Sequence, residues 1–342
     1  MADKTIKSAM TAFARAVERD RTEDALQILA RVPTLVQLGR PRSPLWLAAQ
    51  HGRSDLVRTL LDRDADPQRV GWDGCSCSLP EKPIHVATRN NHDAVVELLR
   101  PHHDPLDIFD SCALGERDRV LDFLRDDPGQ ANAVRVDDPD GRFPLTPLHW
   151  STFFCRREII DDLLDAGANV RPESDPSRQT LMPRLSLALC RGYTDIAETL
   201  MKAGDHPIDD PETCISFAQA AYGGQQASID LLLRNGLDIN ARRVDEEHAA
   251  FVHVRHPRSE SWLLLLDNGV DLNAQRRNGK SMFHIAAARG LKSFVSTLLE
   301  RDADHTIRDE EGLTALDYAR ERKNQKMYEY LIENGISETG TR

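Results

Sequence analysis

Apolar positions along this chain fall in paired bursts separated by a glycine or asparagine and closed by a charged turn. The stretch Ser43 to Pro67, SPLWLAAQHGRSDLVRTLLDRDADP, shows the unit most clearly. Its apolar residues recur three and four apart on either side of Gly52, the spacing of two short amphipathic helices joined by a turn. The same order of residue types returns as KPIHVATRNNHDAVVELLR from Lys82, TPLHWSTFFCRREIIDDLLDAGANV from Thr146 and LSLALCRGYTDIAETLMKAG from Leu185. It appears again as CISFAQAAYGGQQASIDLLLRNGLDIN from Cys214 and SMFHIAAARGLKSFVSTLLERDAD from Ser281.

Each position in the unit has a mechanical reason. A hydroxyl before proline, as in Ser43-Pro44 and Thr146-Pro147, caps a free amide while proline tolerates the first turn, so helices are predicted from Pro44, Pro83, Pro147, Met282 and Ala315. Small pairs (Ala48-Ala49, Ala220-Ala221, Ala286-Ala287) let paired helices approach closely. Leu60-Leu61, Leu98-Leu99, Leu163-Leu164, Leu232-Leu233 and Leu298-Leu299 then fill the space between neighbouring units.

The register survives in weaker copies. The apolar marker falls at Leu45, Ile84, Leu148, Leu185, Phe217, Phe283 and Leu316. The steps from Leu148 are 37, 32, 66 and 33, so the long one spans two periods and hides a worn copy from Ala249. The step of 64 between Ile84 and Leu148 leaves room for another from Asp107, DIFDSCALGERDRVLDFLRDDPGQANA.

This recurring unit, TPLH, then a glycine between helices, then an apolar helix ending in Gly-Ala-Asp or Gly-Ala-Asn, resembles the ankyrin repeat. The resemblance implies an all-α ankyrin-repeat solenoid of about ten stacked helix pairs with finger loops, counting an opening unit and a polar closing one that ends the stack. It also implies that His85, His149 and His284 tie their ring nitrogens to the turn backbone of neighbouring repeats, a structural rather than catalytic task. The unit from Asp107 ends like the opening unit, and RPHHDPLD from Arg100 carries two prolines. We therefore expect one array over 1–342 with sub-stacks at 5–100 and 105–335, a seam near Pro101 to Leu106 and a frayed tail at 336–342.

Composition adds little to the fold and more to the partners. Aromatic residues are 6% and charged residues 29%, as a Leu- and Ala-built stack with wet faces requires. No apolar run approaches the roughly 20 residues needed to cross a bilayer, and the N-terminal MADKTIKSAM has no apolar stretch for a secretory leader, so a cytoplasmic protein is expected. Six cysteines do not make a disulfide framework; Cys112, Cys155, Cys190 and Cys214, in or beside first helices, read as packing residues. With 55 acidic and 44 basic side chains the formal net charge is -11, which disfavours nucleic acid and anionic membrane and favours a basic protein partner. The densest basic clusters are Arg40, Arg42 and Arg53, and Arg276, Arg277 and Lys280.

Candidate chemistry is sparse. Cys75 and Cys77 form a lone CxC without the second pair a zinc site needs, and His248, His253 and His256 lie in a worn repeat where surface drift explains them. Asp137 to Gly141 lacks the ligand order of a calcium loop. No nucleophile motif or phosphate-cradling glycine loop appears, so no catalysis, cofactor or metal is expected.

Recognition of a protein remains. Long inter-repeat fingers at 68–81, 136–145 and 171–183 project on one side. The family's groove is lined by the residues after each Ala-Ala pair, which carry over as Gln50 and His51, Arg89 and Asn90, Phe153 and Phe154, Cys190 and Arg191, Tyr222 and Gly223, and Ala288 and Arg289. Phe153 and Phe154, with Trp150 one turn before and Tyr222 beyond, are expected to form an exposed aromatic anchor, unless the pair packs under the neighbouring finger. The expectation is a monomeric scaffold, adaptor or inhibitor. The alternatives are a neutralising inhibitor of a toxin or enzyme, which an acidic surface suits if the target is basic, and a structural or regulatory subunit of an enzyme complex.

Overall fold

The structure, a computed structural model, describes residues 2–38, 42–72, 79–103, 105–136, 144–170, 184–204, 213–241, 249, 251 and 261–336. It divides into two compact units, Met1–Arg184 and Leu185–Arg342. In the first, helices pair as α1 (Ala2–Glu18) with α2 (Thr22–Arg31), α3 (Pro44–Gln50) with α4 (Ser54–Leu61) and α5 (Pro83–Arg89) with α6 (Asp93–Leu99). Then follow α7 (Ile108–Leu114) with α8 (Arg117–Asp126) and α9 (Pro147–Phe153) with α10 (Arg157–Asp165). The helix α11 (Arg184–Arg191) leads into the second unit and pairs with α12 (Thr194–Lys202). There α13 (Thr213–Tyr222) pairs with α14 (Gln226–Arg234), α15 (Ser261–Asp267) follows, and α16 (Met282–Arg289) with α17 (Lys292–Glu300) and α18 (Ala315–Glu321) with α19 (Gln325–Glu333) complete the series.

All five predicted helix starts hold: Pro44, Pro83, Pro147, Met282 and Ala315 are the first helical residues. Ser43 caps as expected, its hydroxyl accepting from Trp46 N at 3.1 Å. The turn between paired helices passes through the left-handed region, at Gly52 with φ 67°, and at Asn91 and Cys155 with φ 58° and 56° where the sequence lacks glycine. The hidden unit from Asp107 is present as α7 and α8. Its closing 3-10 turn, Pro128–Asn132, matches the one that closes the opening unit, Pro33–Gln37. The strand pairing among the described residues is a two-residue finger hairpin, Arg135–Val136 against Pro144–Leu145.

The core is one layer repeated. Ala48, Ala49, Ala220, Ala221, Ala286 and Ala287 are fully buried, and one leucine of each pair (Leu60, Leu99, Leu163, Leu232, Leu298) is sealed between units. Loops after the second helices are stitched by asparagine: Asn132 Oδ1 accepts from Asn169 N at 2.7 Å in the first unit, and Asn240 Oδ1 from Asp271 N at 2.7 Å in the second. These bonds satisfy loop amides that lie outside any helix ladder. The predicted seam at 101–106 lies inside the first unit, where Lys82 and Asp110 are joined across it.

Candidate functional site

At Trp46, His85, Asp110 and His284 the fourth residue of the TPLH-like opening reaches a neighbouring repeat, and its chemistry changes along the chain. In the second unit His284 Nδ1 accepts from Ser281 N at 3.1 Å while Nε2 lies 2.9 Å from the Leu313 carbonyl, just before Thr314 opens the following helix. This is the family's arrangement. At the same position in the first unit stands Trp46, and its Nε1 donates to the Glu81 carbonyl at 3.0 Å, just before Lys82. The indole thus replaces the imidazole. Gly71 makes room for it: a Cβ there would lie 2.6 Å from Trp46 Cδ1.

His85 departs from the pattern. Its Nδ1 accepts from Lys82 N at 3.4 Å, but its Nε2 sits 2.9 Å from a side chain, Asp110 Oδ1, rather than from backbone. Asp110 itself occupies the fourth position of the Asp107 unit, where TPLH is lost. Lys82 Nζ donates to its Oδ2 at 2.8 Å and Arg135 Nη1 to its Oδ1 at 3.0 Å. Burial raises the Asp110 pKa, but contact with His85 and the charges of Arg135 and Lys82 outweigh it and hold the carboxyl well below the ordinary carboxylate range. Desolvation lowers the His85 pKa despite Asp110, and burial with the Arg184 charge places His149 well below the usual imidazole value.

Arg135 links this cluster to the aromatic residues. Its guanidinium lies 5.0 Å from the Phe109 ring centroid and 4.7 Å from that of Trp150. Trp150 stacks on Phe154 at 5.8 Å, Phe154 meets Phe153 edge-on at 5.1 Å, and His85 lies 4.7 Å from Trp150. Trp150 is fully buried, Phe153 is 1% exposed and Phe154 7%. The exposed aromatic anchor expected from the sequence is therefore corrected: these rings are an interior layer. The physical reason is the cationic lid, since Arg135 covers Trp150 and Arg89 covers Phe153 at 5.8 Å.

The remaining groove candidates stay near the surface. Gln50, His51, Arg89 and Asn90 in the first unit and Arg191 and Tyr222 in the second are half-buried. Arg89 is engaged, gripping the buried Glu81 through Nε at 2.9 Å and Nη2 at 2.8 Å. His92 Nε2 lies 3.0 Å from the Gln50 carbonyl, and Asn90 Nδ2 donates to Val86 O at 2.7 Å, so these helix ends are held in place. Burial, then the Arg53 charge, lowers the His51 pKa. Among the cysteines, Cys112 and Cys190 are buried and Cys155 is exposed, which corrects its reading as a packing residue; burial pushes the Cys112 thiol up to about 12. Cys75, Cys77, His248, His253, His256 and Asp137 to Gly141 lie outside the described residues.

Sequence reasoning missed Trp72. It is 43% exposed on the first long finger, and Arg42, which stacks over Trp46 at 5.8 Å, donates to its carbonyl at 3.4 Å. A tryptophan inside a finger already noted for its length was the available signal.

The family model described as ankyrin repeats (3 copies) matches residues 13–110 and 249–341, more than half of the chain. The chain belongs to the ankyrin-repeat family. It is 27% identical over 195 residues to the Ankyrin repeat and KH domain-containing protein mask-1 of Caenorhabditis elegans, a match that covers 56% of this chain and 7% of that relative. Ankyrin repeats are protein-protein interaction modules and the family is generally non-catalytic. Among the described residues no helix is long and apolar enough to cross a membrane.

Proposed function

We propose that this chain is a non-catalytic adaptor, scaffold or inhibitor, monomeric and cytoplasmic, that holds a protein partner on the finger and first-helix surface of its first unit. The observation that carries this reading is the exposed Trp72 on a finger anchored over α3 through Gly71 and Trp46, in the same unit as the half-buried helix ends Gln50, His51 and Asn90. Arg42 bonds the Trp72 backbone at 3.4 Å and stacks over Trp46 of α3 at 5.8 Å. Tryptophan is enriched at interface hot spots because it buries a large, rigid surface at little entropic cost, and polar neighbours at half exposure suit the surrounding rim. Trp150, Phe153 and Phe154 support this surface from within.

The test is affinity capture from the native cell with the wild-type chain and the Trp72→Ala, Asn90→Ala double variant as baits. A partner retained by the first and lost by the second supports the reading. Equal retention by both refutes the assignment to this surface.

A further inference from the structure

A cleft of about 370 Å³ opens between α1 and α2, at the start of the first unit. Ala12, Ala16 and Ile28 line its floor, and Arg15, Arg19, Arg21 and Arg31 stand around it. Arg15 and Arg19 are four apart and share one face of α1. Arg21, the residue just before α2, and Arg31 at its end are ten apart, about 15 Å along the helix axis. One carboxylate, Asp24, lines the cleft, 3.9 Å from Arg21 with both side chains largely exposed. Arg15, Arg19 and Arg31, also exposed, form no ion pair among the described residues. The cleft is thus strongly positive on a chain whose formal net charge is -11.

We propose that this cleft binds a short acidic segment, rich in aspartate and glutamate, of the protein partner. The inference rests on the protein-binding reading above and names the chemistry of a second contact. Guanidinium forks match carboxylates bidentately, and four of them spread along a cleft suit carboxylates distributed along an extended chain. About 15 Å is the reach of four or five extended residues. The small alanine floor admits a peptide backbone close to the helices. A phosphate group needs donors that converge on one point, whereas Arg21 and Arg31 are set about 15 Å apart along the helix. A long polyanion such as nucleic acid, or an anionic bilayer, would extend past the cleft onto a chain of opposite preference, since the net charge beyond it repels both.

The experiment is fluorescence anisotropy with a labelled octa-glutamate peptide at low salt, using the full chain. Wild type should bind it. Arg15→Ala, Arg19→Ala, Arg31→Ala together should weaken binding at least tenfold, as should a rise to about 0.5 M salt, with far-UV circular dichroism unchanged. Should the triple variant lose helicity, Arg31→Glu alone makes the same comparison. Absence of octa-glutamate binding, equal binding by the variants, or binding of inorganic phosphate or phosphatidylserine vesicles in preference to the peptide overturns the proposal. Trp72→Ala should leave octa-glutamate binding intact. Failure at the arginines with partner loss at Trp72 would therefore remove this inference alone, and the opposite result would remove the finger assignment alone.

Discussion

Lys82 Nζ sits 2.8 Å from Asp110 Oδ2, with the two side chains only 14% and 6% exposed, so the bond joining α5 to α7 is shielded from water. Asp110 is the common anion of Lys82, His85 and Arg135. Removing it takes the carboxylate from the largely buried Lys82 and leaves Arg135 beside Asp107, whereas removing Lys82 leaves the carboxylate still neutralised by Arg135. Asp110→Ala should therefore lower the unfolding free energy by about 3 to 5 kcal/mol, and Lys82→Met by clearly less. Urea unfolding of the two variants against wild type checks the order.

The pH dependence follows from signs. His85, His149 and His284 have lowered pKa values, and burial pushes His103 down to about 4. An imidazole depressed in the folded state is neutral there while the unfolded chain takes up a proton, so its contribution is complete above pH 6.5 and is lost as pH falls toward the folded value. Asp110, also depressed, adds a loss below about pH 4. Urea midpoints should be flat from pH 8 to 7 and fall steadily from 6.5 to 4. His103→Gln should make the decline shallower; a midpoint that rises on acidification would contradict the assignment.

The rings of α9 give the third expectation. Because Phe153 and Phe154 are buried, truncating either to Ala should cost about 3 to 5 kcal/mol by opening a cavity in the layer under Arg89 and Arg135. Thermal and urea unfolding measure it. A change below about 1 kcal/mol for both would mean that the rings face water after all.

Trp46 and Gly71 form a lock between α3 and the first finger. Gly71→Ala forces a Cβ into the indole, 2.6 Å from Cδ1, and should destabilise by about 1 to 3 kcal/mol. Trp46→Phe removes the donor to Glu81 O and should cost about 1 to 2 kcal/mol plus lost packing. In the double variant the cost of the alanine should shrink, since the smaller ring leaves room; a double-mutant cycle on urea midpoints reads this coupling.

The sequence made the helix starts legible because Ser43-Pro44 and Thr146-Pro147 combine a cap with a residue that only the first turn accepts. Periodicity recovered even the Asp107 unit, whose TPLH is gone. Side-chain exposure at α9 was not legible. Phe153 and Phe154 occupy positions that face water in most repeats. Arg89 covers Phe153 and Arg135 covers Trp150, which stacks on Phe154, and both arginines come from other repeats and arrive only in the folded stack. Asp110 was hidden for the same reason: at its position it reads as a lost histidine, and its value appears only when Lys82, His85 and Arg135 converge on it. Arg15 and Arg19, four apart, could have been read as one helix face; their tie to Arg21 and Arg31 required the pairing of α1 with α2.

Hydrogen exchange of the chain with and without the protein retained in the capture experiment tests the central claim most directly. The account predicts slowed exchange in segments containing Gln50 and His51, Gly71 and Trp72, and Arg89 and Asn90. It predicts no change in α4 around Arg58 or α6 around Glu97, which face outward. Slowing confined to α4 and α6, with the Trp72 finger and the ends of α3 and α5 exchanging as in the free chain, would contradict it.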